Sequence, residues 1–540
     1  MAIPRFRLVH LVTILLSISI LIYLLGGDSS STVSSPAATA TLLSFCPYST
    51  SQRHTPTIIL QGDAQSDRNA NRTHFVGGFK GATFLPYAYP PRDLRFAQHI
   101  SDAGAAAARP GRGHLDEPDE EGKQLCKIHK VPSSPQIQSP KGWSNSKIMF
   151  GMSTTPDRVL YNLPVWSHWL PSAPGSLDSS TSKANLPLVL VLTPPPNPTE
   201  RARMREAVEE AQGLGMHLEM REKVSDRFET RYFALAEEMW ADALKREAEE
   251  GIVTEWFVFS DDDTFFPDFE ATVRMLAEQG SGVKPSLVGA LSESTKQVAQ
   301  WGHISYGGAG IFVNRALMAL MNAPGQVSTC LAKFGSAFGG DAMVSHCAAL
   351  VTEKEVKDIL TIDDTLHQLD IRGDGTGWFQ SGFLITSLHH WGSWFTLFPP
   401  WSETGSGDLR KGISLIGKAA KSLGGDNWGR RYVFEDGKVV VNLGYSVVIE
   451  AKAVTKSDLA KSEHTWWEFE TFHPIREGRE EGTEKRTYYL TGVRLLDRGI
   501  IRLEHKNREG ERVDIIWDGR AGPSKGGKWA GWKNVKKARQ

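Results

Sequence analysis

The sequence predicts an α/β protein with a mostly parallel central sheet, followed by a β-rich C-terminal module and preceded by one transmembrane helix. Three observations carry this reading. Short apolar runs alternate with helical patterns from Ile148 to Glu278, strand-like runs dominate after Trp401, and one apolar stretch, Leu8 to Leu25, stands alone near the start. Strands that alternate with helices across short breaks build a parallel sheet covered on both faces. At about 150 residues per domain, a chain of 540 residues has room for two or three folded units. Hydrophobic residues at 40% and charged residues at 23% are globular values and exclude wholesale disorder. With 61 basic against 62 acidic residues the net charge is −1, so no global field draws the chain to nucleic acid or to an anionic membrane surface.

The Leu8 to Leu25 run follows Arg5 and Arg7 and is broken only by His10, Thr13, Ser17 and Ser19. Its length matches a bilayer-spanning helix, and the positive-inside rule leaves residues 1–7 in the cytosol. We therefore expect a type II signal-anchor over residues 8–27, with everything after it in a lumenal compartment. Cleavage within Ser35 to Thr41 is the competing reading. Both deliver the chain to an oxidising space, where Asn71-Arg72-Thr73 is an N-glycosylation acceptor and disulfides persist. The four cysteines then suggest the pairs Cys330 with Cys347 and Cys46 with Cys126, buried free thiols being the alternative.

Residues 28–142 are rich in Ser, Ala, Pro, Gly and clustered charge, with no sustained apolar period, and read as a lumenal stem. The folded domain, residues 143–400, begins with the strand Ile148 to Met152, ending in Ser153-Thr154-Thr155, and a helical pattern to Trp169. A second strand, Leu186 to Thr193, is stopped by three prolines, and Arg201 to Gly213 is a polar helix. Phe228, Tyr232, Leu235 and Met239 recur at helical spacing behind Ser225 or Asp226, which predicts an amphipathic helix opened by one of them. The strand Trp256 to Phe259 and a helix from Asp268 to Glu278 follow. Residues 401–540 carry Gly/Lys-rich loops, the strand-like runs Val439 to Val441, Ser446 to Glu450, Tyr488 to Leu490, Ile500 to Leu503 and Val513 to Trp517, and a basic tail from Gly522.

The sharpest chemical feature is Ser260-Asp261-Asp262-Asp263-Thr264, set directly after the apolar strand. Three adjacent carboxylates repel one another, and a divalent cation would relieve that repulsion while binding a diphosphate. The bland alternative is a solvated acidic turn ahead of a helix. Downstream, Tyr306-Gly307-Gly308-Ala309-Gly310 either lets backbone approach a ligand closely or makes a tight turn.

The segments WFVFSDDDTF, YGGAGIFVNRAL, FGGDAMVSHC and LITSLHHW resemble, in this order, the Fringe-type enzymes of glycosyltransferase family 31. The segments LHQLDIRGD (366–374) and LGYSV (443–447) resemble the Fringe-related branch of plants and fungi more closely. The resemblance spans about Ile148 to Val448. It implies a GT-A type, Rossmann-like domain that uses a UDP-sugar donor with Mn²⁺ or Mg²⁺ and inverts the sugar carbon. It also implies a glycan or glycoprotein acceptor, and a type II membrane enzyme of the Golgi. Carried over by position, Asp341 is the general base, Asp263 and His390 are metal ligands, and Asp261 and Asp262 face the donor. Thr154, Thr155, Gly308 and Gly310 belong to the nucleotide side, and Arg158 stands nearest to the family's nucleotide-contacting Arg. A base suits inversion, since one displacement needs one carboxylate to deprotonate the acceptor hydroxyl. Asp341 has a bland reading too, as N-cap of the helix that follows. Side chains alternate along a strand, so only one of His389 and His390 should reach the metal, with His389 the fallback. Trp391 or Trp394 is expected to line the acceptor site. Two readings of other classes stand beside this one: a lumenal glycan-binding protein that keeps the fold without catalysis, and a metal-dependent phosphohydrolase.

Overall fold

A computed structural model describes residues 57–64, 72–76, 128–134, 140, 143–172, 185–225, 227–279, 283–337, 339–405, 407–424, 426–434, 437–455, 459, 466–468 and 485–520. The expected anchor 8–27, Asn71, Cys46, Cys126 and the basic tail lie outside the described residues. Among those described, no helix is long and apolar enough to cross a membrane.

The α/β part is built on a seven-stranded sheet. Its spatial order is 360–362, 287–289, 311–314, 256–259, 148–153, 188–193 and 217–222. Every neighbouring pair is parallel except the two made by Ile311–Asn314, which runs against its neighbours. The central strands Ile148–Ser153, Leu188–Thr193 and Trp256–Phe259 are buried along their whole length, as continuous apolar runs in a two-sided sheet require. On one face the helix Phe228–Glu250 buries Tyr232, Leu235, Ala236, Met239 and Ala243. Gly151 permits this approach, since a Cβ there would sit 2.7 Å from Met239 Sδ.

Several boundaries differ from the sequence reading. The Phe228–Glu250 helix takes Arg227 as its N-cap and has no side-chain cap bond; the hydroxyl of Ser225 instead donates to the Arg227 carbonyl at 2.8 Å. The helix predicted from Arg201 starts at Pro198, behind a capping box of Asn197 and Glu200. Three further strands, the edge strands His217–Glu222 and Leu360–Ile362 and the interior Leu287–Gly289, escape a periodicity search because they are short or only half apolar.

A second sheet of nine strands has the order 73–76, 431–434, 439–442, 446–450, 485–497, 500–506, 512–518, 57–64 and 128–133. All five strand-like runs read from the C-terminal sequence lie in it. So do three strands from the segment read as stem: Thr57–Ala64 pairs parallel with Arg512–Asp518, more than 400 positions away. Such pairing leaves no local period, so a short apolar run in a polar stretch hides it. The Lys- and Gly-rich loops expected after Trp401 contain a helix, Leu409–Leu423, that buries Ile413, Ile416, Ala420 and Leu423. Its Gly417 packs against Phe265, which follows the acidic triplet. One hydrophobic core runs without break from Phe150 and Val258 of the first sheet to Tyr445 and Leu503 of the second.

Candidate functional site

Ligands of open α/β sheets collect outside the carboxyl ends of the strands, and the acidic triplet stands there, after Trp256–Phe259 and beside Thr154 at the end of Ile148–Ser153. The three carboxylates take different partners. Asp262 is buried, accepts hydrogen bonds from the Thr154 hydroxyl and the Arg158 guanidinium, and gives its backbone carbonyl to Trp166 Nε1 at 3.0 Å. Burial raises its pKa even against the pull of Arg158. Asp263 faces His389, with Oδ1 at 2.9 Å from Nε2. Burial would raise Asp263 too, but the adjacent imidazole charge outweighs it and holds the carboxyl well below the usual range. Asp261 reaches the same His389 nitrogen at 3.3 Å.

His389 and His390 both face this cluster. Adjacent residues can do so because the strand Ser387–Leu388 has already ended and His390 adopts a left-handed φ of 56°. The expectation of alternation across a strand therefore fails here. Asp263, His389 and His390 bring potential ligand atoms within 4.8 Å of one another. Burial lowers the His389 pKa, and the two carboxylates outweigh that and raise it well above its ordinary value. His390 is lowered to about 4, by burial and then by the charge of His389. The Nδ1 of His389 is buried and has no hydrogen-bond partner among the described residues. One carboxylate with two imidazoles is a mixed oxygen and nitrogen set. It suits a first-row transition ion better than Mg²⁺, which favours an all-oxygen shell.

The glycine turn supports this histidine. A Cβ on Gly308 would fall 1.9 Å from His389 Nδ1, so only glycine leaves room for the ring. The Gly308 carbonyl accepts from the Thr264 hydroxyl at 2.9 Å, and the Ala309 carbonyl from the Ser387 hydroxyl at 2.6 Å. Gly310 takes a φ of 91° and lies against Phe312 and Phe266. Gly308 and Gly310 thus underpin the site by packing and line neither of the cavities around it.

Two cavities meet at the cluster. The first, about 480 Å³, is lined by Thr154, Thr155, Arg158, Arg231 and all three aspartates. The second, about 300 Å³, is lined by Tyr232, Tyr306, Asp341, Gln368 and Asp370. Asp261, His389, His390 and Trp394 belong to both. Trp394 stacks on His390 with centroids 3.5 Å apart, whereas Trp391 is buried and lines only the first cavity.

Asp341 lies in the first turn of the helix Gly340–Thr352, whose N-cap is Gly339, so the N-cap reading does not hold. Its carboxylate accepts from the backbone of Ala342 at 2.8 Å and of Gly307 at 3.3 Å. Burial, and then the charge of Asp261, raise it to about 6 despite those bonds. A disulfide between Cys330 and Cys347, with Cα atoms 5.4 Å apart, ties this helix to Gln326–Phe334.

Four residues lining these cavities were not apparent from sequence as site residues. Arg231 lines the first cavity, donates Nε to the Ser153 hydroxyl at 3.0 Å, and has no carboxylate partner among the described residues. Its neighbour Tyr232 is buried, its hydroxyl without a partner among the described residues, at the wall of the second cavity. Helical spacing marked Tyr232 as core and gave no reason to notice Arg231. Gln368 and Asp370 come from the segment 366–374: Gln368 accepts from the Ala309 backbone at 3.0 Å, and Asp370 faces His390 Nε2 at 3.4 Å.

The protein family described as "Protein of unknown function, DUF604" matches residues 297–487. No protein of curated function matches the sequence. Among solved structures, a mannosyltransferase from Pyrobaculum calidifontis in complex with GDP-Man and Mn²⁺ is similar at 11% identity and a TM-score of 0.26, over 52% of this chain and 73% of that one. Mouse xyloside xylosyltransferase 1 in its apo form aligns at 11% identity and a TM-score of 0.26, over 40% of this chain and 85% of that one. A glycosyltransferase involved in the glycosylation of the major capsid of PBCV-1 aligns at 13% identity and 0.21, over 46% and 93%. All three likenesses are slight.

Proposed function

We propose that this chain is a metal-dependent, inverting glycosyltransferase of the GT-A type and Fringe-like family 31. In this reading it transfers a hexose or N-acetylhexosamine from a UDP-sugar to a glycan hydroxyl, making a β1,3 linkage. One observation carries the proposal: the acidic triplet and Asp341 sit on two cavities that share Asp261, His389, His390 and Trp394. A donor in the first cavity and an acceptor in the second would meet at that junction.

In this reading Arg158 and Arg231 receive the diphosphate in the first cavity, and Thr154 and Arg158 hold Asp262 in place beneath it. A Mn²⁺ ion bound by Asp263, His389 and His390 would supply charge neutralisation for the departing diphosphate. Asp341 takes the proton of the acceptor hydroxyl. The acceptor oxygen bonds to the anomeric carbon as the bond from that carbon to the phosphate oxygen breaks, UDP leaves with the electron pair, and the configuration inverts. A carboxylate raised to about 6 is ionised near neutrality yet basic enough to accept a proton in the transition state.

The Cys330–Cys347 disulfide supports a lumenal, oxidising compartment. We further propose, from the sequence resemblance, a Golgi membrane protein anchored by residues 8–27, with a glycan or glycoprotein as its acceptor. The test is a donor screen: the purified protein is incubated with a panel of UDP-sugars and Mn²⁺, and UDP release is measured. Release from at least one donor, abolished by chelation, is expected. Glycan binding without turnover of any donor would favour the non-catalytic lectin-like reading.

A further inference from the structure

A third cavity, about 420 Å³, adjoins the one that holds Asp341 and shares Trp301 and Ile304 with it. Both are arranged along the helix Gly340–Thr352. Asp341 opens that helix, while His346, Ala349 and Leu350 line the third cavity. At 1.5 Å per residue, Asp341 and Leu350 are about 14 Å apart along the axis, a reach that exceeds one sugar ring.

The lining is of two kinds. Its floor is apolar and aromatic: Ile304, Ala349, Val356, and Phe334 stacked on His346 with centroids 5.4 Å apart. Its rim carries the exposed Lys354 and Lys357, neither in an ion pair among the described residues, and Glu355 is the one carboxylate in the lining. An aromatic surface packs against the C–H face of a sugar ring, and ammonium groups make charge-assisted hydrogen bonds to carboxylate or sulfate oxygens. The Asp341 cavity has no lysine in its lining, so this recognition would act at a distance from the reacting hydroxyl.

We propose that the third cavity is an acceptor subsite for an anionic sugar, so that the acceptor is an oligosaccharide bearing a uronic acid or sulfate group beyond the sugar that is modified. This rests on the glycosyltransferase reading and specifies its acceptor. The whole chain is probed on an array of neutral, uronic acid-containing and sulfated oligosaccharides. Three forms are compared: wild type, the double variant Lys354→Ala/Lys357→Ala, and the charge-preserving Lys354→Arg/Lys357→Arg. UDP release by wild type without glycan is read in parallel and reports on the donor site alone. We expect anionic oligosaccharides to bind at least tenfold better than neutral ones of equal length, with that margin lost in the alanine variant and kept in the arginine variant. Equal binding of neutral glycans, anionic binding that survives in the alanine variant, or no glycan binding beside active donor turnover would each overturn the proposal. Charge-dependent binding without donor turnover would uphold this subsite while refuting the enzymatic reading.

Discussion

His389 places Nε2 2.9 Å from Asp263 Oδ1 and 3.3 Å from Asp261 Oδ2, so one imidazole bridges two members of the acidic triplet. The opposite ring nitrogen rests over Gly308, where no side chain fits. These contacts link the two motifs that sequence marked separately, the triplet and the glycine turn.

Gly308→Ala should therefore act on the metal site more than on the fold. The new methyl displaces His389, at an overpacking cost of roughly 1–3 kcal/mol. We expect Mn²⁺ affinity, read by electron paramagnetic resonance of free Mn²⁺, to fall at least tenfold while the circular dichroism spectrum is retained. Unchanged Mn²⁺ affinity would separate His389 from the metal.

The pH profile should report Asp341. Its carboxylate, raised to about 6, must be ionised to accept a proton, so kcat/KM should fall about tenfold per pH unit below pH 6 and level off above about 7. The stability effect has the opposite sign. The folded state holds this proton up to about pH 6 whereas the unfolded chain releases it near 4. The group's contribution is therefore largest below pH 4 and is lost as pH rises through 6. Asp341→Asn should remove that component from a urea titration run at several pH values.

Arg231 and Arg158 should divide between binding and folding. Arg231 has no carboxylate partner among the described residues, and Arg231→Ala should raise the donor KM at least tenfold. Arg158→Ala leaves the buried Asp262 carboxylate with Thr154 as its remaining side-chain donor. It should also destabilise the fold by about 1–3 kcal/mol in urea denaturation, discounted because the guanidinium is more than half exposed.

Cys347→Ser should loosen the helix that carries Asp341. The bridge closes a loop of 17 positions, worth roughly 3 kcal/mol in the chain-entropy account. We expect a lowered urea midpoint and a lowered kcat, with the donor KM less affected because that cavity lies on other elements.

The acidic triplet was legible in sequence because its three residues are contiguous and follow a fully apolar strand. The same holds for the strands Ile148–Ser153 and Trp256–Phe259, and for the Cys330–Cys347 pair, which closes a short loop. What stayed hidden depends on distant segments meeting. Thr57–Ala64 joins a sheet whose next strand lies at the other end of the chain. Arg231 shares a helix face with core residues, so periodicity absorbed it. The orientation of His390 depends on one left-handed backbone angle that no residue pattern announces, and Asp370 gains its meaning only through contact with that ring.

The most direct measurement is UDP-sugar turnover, with the preferred donor and Mn²⁺, in Asp263→Ala and Asp341→Asn beside the wild-type chain. If the triplet and Asp341 serve one reaction, both variants fold and both lose at least a hundredfold in kcat, Asp263→Ala also losing Mn²⁺ dependence. Wild-type turnover in both folded variants would contradict the account.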